Sequence, residues 1–127
     1  MRLLLDTHAI LWWLLADSRL TATARFEIVN ASLVFVSGVS AMEIANKYRI
    51  GKLDEAEGIA GHLGDRIAEY GFEPLPVTIA HGDHAGLLRW HNRDPFDRLL
   101  IAQALIEDAV LVSNDKDLDV TGVRRLW

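Results

Sequence analysis

Short apolar runs alternate along the chain with longer stretches in which apolar residues recur every three or four positions. The short runs have the length and the branched apolar residues expected of buried strands. They cover residues 3–6, 33–37, 72–75, 110–113 and 123–126. The longer stretches have the periodicity of helices and cover residues 8–16, 22–30, 41–48, 59–70, 79–88 and 95–107. Alternating strands and helices predict an α/β fold with a mostly parallel sheet.

Length and composition predict one domain over residues 1–127. A compact domain commonly has about 100–150 residues, and the chain shows no repeat, low-complexity tract or linker. Half of the residues (50%) are hydrophobic, which is enough to build a sizeable interior. We therefore expect one core and one functional site.

The sequence excludes several classes of protein. It contains no cysteine, so disulfide scaffolds and thiolate zinc sites are ruled out. Asp6 interrupts the opening apolar run before it reaches the ~7–15 residues of a signal peptide. The longest apolar run, residues 9–16, is far shorter than the ~18 residues of a membrane span. We expect a cytoplasmic protein that does not engage a membrane.

The net charge of −5 argues against binding to nucleic acid, because lysine and arginine drive that binding by neutralising phosphates. The objection weakens if several carboxylates surround one metal cation, since the bound ion then reverses the local field. The arrangement of the acidic residues therefore matters more than their number.

Four acidic residues lie where predicted strands end or predicted helices begin. Asp6 ends the first strand, and Glu43 lies in the first turn after the second. Asp115 follows the fourth strand, and Asp97 opens the last helix. In open parallel sheets, ligands bind beyond the carboxyl ends of the strands. We expect these four side chains to converge at that edge of the sheet.

Three of these acids also have ordinary structural explanations. Ser40 and Glu43 fit a capping box, in which the serine caps a helix and the glutamate reaches back to it. Asp94 fits a helix cap, with Asp97 favourably placed in the first turn near the helix dipole. Asp115 fits a turn. Each of these three residues taken alone is compatible with a purely structural role.

Asp6 is harder to explain as a structural residue. It stands between an apolar strand and an apolar helix, where burying a carboxylate is costly without a cation or hydrogen bonds. Carboxylates that meet at one edge also repel one another unless a cation neutralises them. Oxygen ligands favour Mg²⁺ or Mn²⁺, which can orient and activate a water nucleophile. Hydrolysis of a phosphodiester is the chemistry that this pattern favours.

Four segments together resemble the VapC-type ribonucleases of the PIN-domain family, which are toxins of bacterial toxin–antitoxin pairs. The segments are LLLDT at residues 3–7, SAMEI at 40–44, WHNRDPFDRLLIAQA at 90–104 and VSND at 112–115. They occur in the order typical of that family and extend over nearly the whole chain. The resemblance implies a three-layer α/β/α fold and endonucleolytic cleavage of RNA. It also implies a protein antitoxin as partner, and we expect a homodimer.

The resemblance assigns roles to residues one by one. It implies that Asp6, Glu43, Asp97 and Asp115 bind Mg²⁺ or Mn²⁺ and position the attacking water. Asp117 remains an alternative to Asp115 as the fourth acid, since both follow the fourth strand closely. It also suggests Thr7, adjacent to Asp6, as a residue that orients the Asp6 carboxylate through its hydroxyl.

Arginines are concentrated just before and within the start of the last helix. Arg89, Arg93 and Arg98 lie within ten positions, beside Trp90 and His91. Arginine pairs with phosphate and aromatic rings stack on unpaired bases, so this segment is a candidate path for RNA. We predict that Arg93 and Arg98, together with Thr7 beside Asp6, bind substrate. The alternative for Arg98 is an ion pair with Asp94, one helical turn away.

Other functions are less compatible with the sequence. His81 and His84 lie three residues apart, but no convincing further ligand for zinc is near, so a polar helix face is the better interpretation.

Of Trp12 and Trp13, we expect one in the core and the other at a protein contact. An aspartate-based phosphatase needs a second aspartate at position 8, where this chain has histidine. A PIN-like module that binds RNA or protein without catalysis stays as the alternative function.

Overall fold

The sheet has five strands, and every neighbouring pair runs parallel. The computed structural model describes residues 1–127. The strands are β1 (Arg2–Leu5), β2 (Leu33–Ser37), β3 (Glu73–Leu75), β4 (Val110–Val112) and β5 (Arg125–Leu126), in the spatial order β3-β2-β1-β4-β5. The prediction of a mostly parallel α/β sheet is confirmed, and each predicted strand overlaps an observed one.

The central strand β1 fixes the layers of the fold. Leu3, Leu4 and Leu5 are all fully buried, and successive side chains of a strand point to opposite faces of the sheet. Leu3 and Leu5 belong to one apolar cluster, and Leu4 belongs to a second cluster on the other face. Helices therefore cover both faces, which gives the expected three layers. Burial of each leucine contributes roughly 1.5–3 kcal/mol relative to exposure.

Six α-helices connect and cover the strands, close to the six predicted ones. They are α1 (Thr7–Leu14), α2 (Ala22–Asn30), α3 (Gly38–Arg49), α4 (Leu63–Ala68), α5 (Ile79–Leu87) and α6 (Pro95–Ile106), with 3₁₀ turns at Asp54–Ala56 and Lys116–Thr121. The largest error concerns α4, which was predicted to begin at residue 59. Gly58 and Gly61 have φ values of +81° and +82°, and this left-handed backbone delays the helix. No helix has the length and apolar character that a membrane crossing requires.

The start of α3 differs from the predicted capping box. Ser37, the last residue of β2, is the helix cap, and its hydroxyl accepts a hydrogen bond from the Val39 amide at 3.0 Å. Ser40 lies inside the helix, so the predicted capping pair of Ser40 and Glu43 is wrong. The serine at the strand end takes the cap position because β2 leads directly into the helix. Glu43 is consequently free of any capping role.

The two edges of the sheet are formed by short strands. At one edge, β3 has three residues and contains Pro74, which pairs in register with Val36 of β2. At the other edge, β5 has only two residues. Proline within a strand is usually confined to sheet edges because it has no amide hydrogen to donate. The composition of β3 therefore suits its position in the sheet.

The segment between α5 and α6 is organised around one guanidinium group. Arg98 donates hydrogen bonds to the carbonyl oxygens of Ala85 at 2.9 Å, Trp90 at 3.1 Å and Asn92 at 2.8 Å, and to that of Leu88. These four acceptors span the end of α5 and the connection that follows it. The half-buried Arg98 side chain thus holds the α5–α6 connection in place.

We predict that Arg98→Lys destabilises the protein. A lysine ammonium has three donors on a flexible stem and cannot match the fork of a guanidinium, so carbonyl groups would lose their partner. The expected loss is about 2 kcal/mol, which is a fall of roughly 6–12 °C in Tm for a domain of this size. Arg93→Lys is the matched control, because Arg93 is exposed and makes no side-chain hydrogen bond. Equal melting temperatures for the two variants would contradict the anchoring role.

Candidate active site

A cavity of about 500 Å³ lies at the carboxyl-terminal edge of the central strands. All four acids singled out in the sequence contribute to its wall, together with a fifth. The acidic lining residues are Asp6, Glu43, Asp94, Asp97 and Asp115. The predicted convergence of strand ends and helix starts is therefore present in the fold. We refer to this space as the acidic cavity.

Asp6 lies between β1 and α1 and caps the helix. Its Oδ1 accepts a hydrogen bond from the Ala9 amide at 2.8 Å. Burial raises the pKa of Asp6 above its ordinary value of 3.8, while the Ser113 hydroxyl, the Ala9 amide and the charge of His8 lower it. The carboxylate of Glu43 raises it further. A structural cap and a cavity-facing acid are thus combined in one residue.

The helix α3 is fixed against the start of α1 by a buried pair of hydroxyl groups. Thr7 Oγ1 and Ser40 Oγ lie 3.0 Å apart, and Thr7 is only 6% exposed. The Thr7 hydroxyl therefore contacts Ser40, and its expected role in orienting Asp6 stays a prediction. One turn further along α3, Glu43 Oε2 pairs with Lys47 Nζ at 3.0 Å. The Thr7–Ser40 contact thus sets how α3 presents Glu43 to the cavity.

The start of α6 follows the sequence expectation. Asp94 caps the helix, and its Oδ1 accepts a hydrogen bond from the Phe96 amide at 2.8 Å. Pro95 occupies the first turn, where its missing amide hydrogen costs nothing. Because Asp94 is the cap, Asp97 is not needed for capping. Its carboxylate is left to face the acidic cavity.

The acid–base equilibrium of Asp97 is shifted by its surroundings in the cavity. The pKa of Asp97 is raised from 3.8 to about 6, first by burial and then by the neighbouring carboxylate of Asp94. Asn92 opposes this rise, because Nδ2 of Asn92 donates to Oδ2 of Asp97 at 3.1 Å. The charges of Glu43 and Asp115 contribute to the raised value as well. The acids from three separate segments therefore act on one another electrostatically.

The structure distinguishes between the two candidates for the fourth acid. Asp115 lines the cavity, and its amide donates to the Oγ of the buried Ser113 at 3.1 Å. Asp117 is absent from the cavity wall, and its Oδ2 lies 3.2 Å from Nε2 of His91. Asp115 also receives the Asp117 amide on its Oδ1 at 3.0 Å, which is the turn contact anticipated from the sequence. The position of Asp115 suits a site residue better.

The acidic residues offer oxygen ligands of the type that Mg²⁺ or Mn²⁺ prefers. No group of three acidic or histidine side chains lies close enough together to coordinate one ion. Asp6, Glu43 and Asp97 each have an oxygen engaged by a protein partner, namely Ala9, Lys47 and Asn92. The oxygen donors and their convergence on one cavity fit a hard divalent cation. Their present positions do not form a complete coordination sphere around one ion.

The two arginines predicted to bind substrate do not line the acidic cavity. All the observed hydrogen bonds of the Arg98 guanidinium go to backbone carbonyl groups, and no ion pair joins Arg98 to Asp94. Arg93 is exposed and lines a separate, largely apolar groove with Gly82 and Gly86 of α5. Arg98 therefore anchors the α5–α6 connection and Arg93 borders a different groove, while substrate binding by either residue stays a prediction.

His81 does not lie on a polar helix face, so that interpretation is wrong for this residue. It is 2% exposed, and its Nδ1 accepts a hydrogen bond from the Thr78 amide at 3.0 Å at the start of α5. The prediction located the helix correctly but could not show that His81 turns inward to complete a capping box with Thr78. His84, by contrast, is exposed.

The two tryptophans of α1 both contact the core. Trp12 is buried to 7% exposure, and His8 stacks on its ring at 5.2 Å between centroids. Trp13 is half-buried and packs edge-on against Tyr70 at 5.5 Å. The expected inward tryptophan is therefore Trp12, while Trp13 closes the gap between α1 and the segment that leads into β3.

Sequence reasoning missed five further polar residues of the cavity: His8, Lys47, Asp94 as a lining acid, Ser113 and Asn114. A signal existed for two of them. Lys47 follows Glu43 by one helical turn, and this spacing places both side chains on one face. Ser113 ends the fourth predicted strand at the same edge as Asp6. His8 carries no such signal, since its orientation depends on stacking with Trp12.

Comparison with known proteins agrees with the fold and the segments described above. The model of the PIN domain family matches residues 3–123. Ribonuclease VapC16 of Mycobacterium tuberculosis (strain ATCC 25618 / H37Rv) is 43% identical over 51 residues, which are 40% of this chain and 36% of that protein. The match thus spans about a third of the length of that curated relative.

Solved structures resemble the whole chain. The VapBC complex of Salmonella typhimurium bound to DNA has a TM-score of 0.72 at 16% identity, covering 99% of this chain and 97% of that one. VapBC2 of Rickettsia felis, bound to a DNA fragment from its promoter, has a TM-score of 0.69 at 14% identity, covering 100% and 99%. At such low identity these structures establish the fold alone. Since the family model extends over nearly the entire chain, this protein belongs to the PIN domain family.

Proposed function

We propose that this protein is a metal-dependent endoribonuclease and the toxin of a type II toxin–antitoxin pair. The observation that carries the proposal is the acidic cavity. Asp6, Glu43, Asp97 and Asp115 come from four separate segments and line one space at the carboxyl edge of the sheet. Such a cluster is costly for folding, which favours a functional reason for its presence.

Each of the four acids would have its own role in hydrolysis. Mg²⁺ or Mn²⁺, when bound, would supply positive charge at the scissile phosphate and lower the pKa of the attacking water. Asp6 and Asp97, the two cavity acids with raised pKa values, would help to hold the ion. Glu43 and Asp115 would complete the ligand set and orient the water. Ser113 would keep Asp6 ionised by hydrogen bonding to its carboxylate.

Names of the related proteins support the choice of substrate and partner. VapC16 is named a ribonuclease, and the two solved structures described above are VapBC complexes. We therefore include RNA as substrate, the cytoplasm as the place of action and a protein antitoxin as partner. A homodimer is also part of the proposal. It is supported by Ile79 and Leu87, which are 85% and 81% exposed on α5 and would gain from burial.

The alternatives receive less support from the cavity. A PIN-like module that only binds RNA or protein would have no need to retain the crowded acids. An aspartate-based phosphatase would need an acid two residues after Asp6, where His8 instead stacks on Trp12. Hydrolysis of RNA explains the acid cluster most directly.

The proposal predicts cleavage of RNA in Mg²⁺ or Mn²⁺ and none in EDTA. The purified chain, freed of any partner, would be incubated with a panel of messenger, transfer and ribosomal RNAs, and the products resolved on denaturing gels. Chelation should abolish cleavage because the repelling carboxylates would have no cation between them. Cleavage that persists undiminished in EDTA would exclude the metal mechanism.

A second prediction concerns Asp97→Asn, which should stabilise the metal-free protein at neutral pH and abolish cleavage. The folded-state pKa of Asp97 is about 6 against an ordinary value of 3.8, so folding takes up a proton between these pH values. Wild-type stability therefore falls as the pH rises from about 4 to 6, and the penalty is complete above 6. The variant should gain about 1 kcal/mol there, or roughly 3–6 °C in Tm, and nothing near pH 4.

Thermal melts in EDTA at several pH values would measure this difference. Asp65→Asn is the matched control, because Asp65 lies in the first turn of α4, as Asp97 does in α6, but is exposed and outside the cavity. The control should show no gain at neutral pH and keep full cleavage. If Asp97→Asn behaves like the control, Asp97 has no role beyond the helix start.

The toxin assignment predicts a growth defect that depends on the site. Inducing the wild-type chain without a partner should slow growth of a bacterial host, because free ribonuclease degrades its RNA. Asp6→Asn should relieve the defect, since asparagine preserves helix capping but removes the carboxylate charge. Growth curves, with immunoblots to establish equal protein levels, test this directly. Equal growth with both forms at equal levels would argue against a toxin.

A further inference from the structure

Lys47 is the only lysine or arginine that lines the acidic cavity, out of thirteen in the chain. Its Nζ lies 3.0 Å from Oε2 of Glu43. Arg93 borders a different groove, and the guanidinium of Arg98 is bonded to backbone carbonyl groups. A polyanion that enters the cavity would therefore meet one lysine or arginine only.

The position of Lys47 follows from the face that α3 turns toward the cavity. Ser40, Glu43 and Lys47 are spaced by three and four residues and so lie on one face of the helix. Exposure rises along this row, from a fully buried Ser40 to side chains exposed by 15% at Glu43 and 38% at Lys47. The row thus runs from the interior to the mouth of the cavity. Lys47 stands at the outer end, where a substrate would approach.

The pair formed by Lys47 and Glu43 is easily exchanged. Ion pairs one helical turn apart on a partly exposed surface contribute little to stability. The lysine ammonium is a point charge on a flexible stem and can be directed to another anion without moving the backbone. A divalent cation attracts the same Glu43 carboxylate more strongly than a single ammonium does, because it has twice the charge.

We infer that Lys47 binds a phosphate of the RNA substrate, its ammonium exchanging from Glu43 to a non-bridging phosphate oxygen when a divalent cation takes the Glu43 carboxylate. The inference rests on the proposed function and adds a substrate-binding residue to it. In the metal-free protein Lys47 neutralises the acid, and in the loaded protein it neutralises the substrate. No covalent step is involved.

The exchange predicts that Lys47→Gln changes the affinities for Mn²⁺ and for RNA in opposite directions. Affinity for Mn²⁺ alone should rise severalfold, because a competing positive charge leaves the cavity. Affinity for a single-stranded oligonucleotide in the presence of Mn²⁺ should fall roughly tenfold, since a charged hydrogen bond to phosphate is lost. The slope of log affinity against log salt should also become shallower by about 0.7.

Titration calorimetry with MnCl₂ would measure the first effect. Fluorescence anisotropy with a short, labelled 2′-O-methyl RNA of random sequence would measure the second, with gels to verify that the probe stays intact. Lys52→Gln is the matched control, because Lys52 is exposed just beyond α3, carries the same charge and does not line the cavity. It should leave Mn²⁺ affinity unchanged. Lys47→Arg should restore most of the oligonucleotide affinity.

The outcomes separate this inference from the proposed function. If Lys47→Gln binds the oligonucleotide as well as Lys52→Gln does, Lys47 is only a counter-ion of Glu43 and the inference is wrong. A loss of both affinities together with a lower Tm would assign a structural role and would also overturn it. If the wild-type chain neither binds Mn²⁺ nor cleaves RNA, the proposed function itself fails, and the exchange with it.

Discussion

The parallel pairing of β1 with both β2 and β4 is the constraint on which the site depends. Parallel strands end at the same edge, so Asp6 after β1, Ser37 at the end of β2 and Ser113 after β4 are neighbours despite their distance in sequence. Ser37 then starts α3 at that edge and thereby delivers Glu43. If β2 or β4 ran in the opposite direction, the acid that follows it, Glu43 or Asp115, would lie at the opposite end of the sheet.

The acidic cavity works against the stability that the core provides. Leu3, Leu4 and Leu5 are fully buried between two apolar layers, and they are followed at once by Asp6, whose pKa burial raises. Like charges from neighbouring segments add to that effect at Asp97. The apolar layers offset this unfavourable electrostatic energy, and a bound cation would relieve it. The leucines of β1 thus stabilise the fold, whereas Asp6, which follows them directly, destabilises it when its charge is buried.

The sequence predicts the strand ends and helix starts that bring the acids together, and it fails where the outcome depends on the particular partner that a side chain meets. Asp6 was identifiable because a carboxylate between two apolar segments has few structural explanations. The anchoring contacts of Arg98 could not be foreseen because its acceptors are backbone carbonyl groups, which residue types do not reveal. The start of α3 was misplaced because Ser37 and Ser40 are equally good caps, and the end of β2 decides between them. The inward turn of His81 likewise depends on packing that no periodicity reveals.

Pro74 in the edge strand β3 bears on how the chain behaves at high concentration. An exposed strand edge is a template on which a second copy can add its own strand, which is a common start of aggregation. A strand of three residues with no amide hydrogen at its centre is a poor template of this kind, and the two-residue β5 limits the opposite edge in the same way. The chain therefore has little tendency to associate through its sheet. Contacts between copies would then have to be made by side chains on the helices.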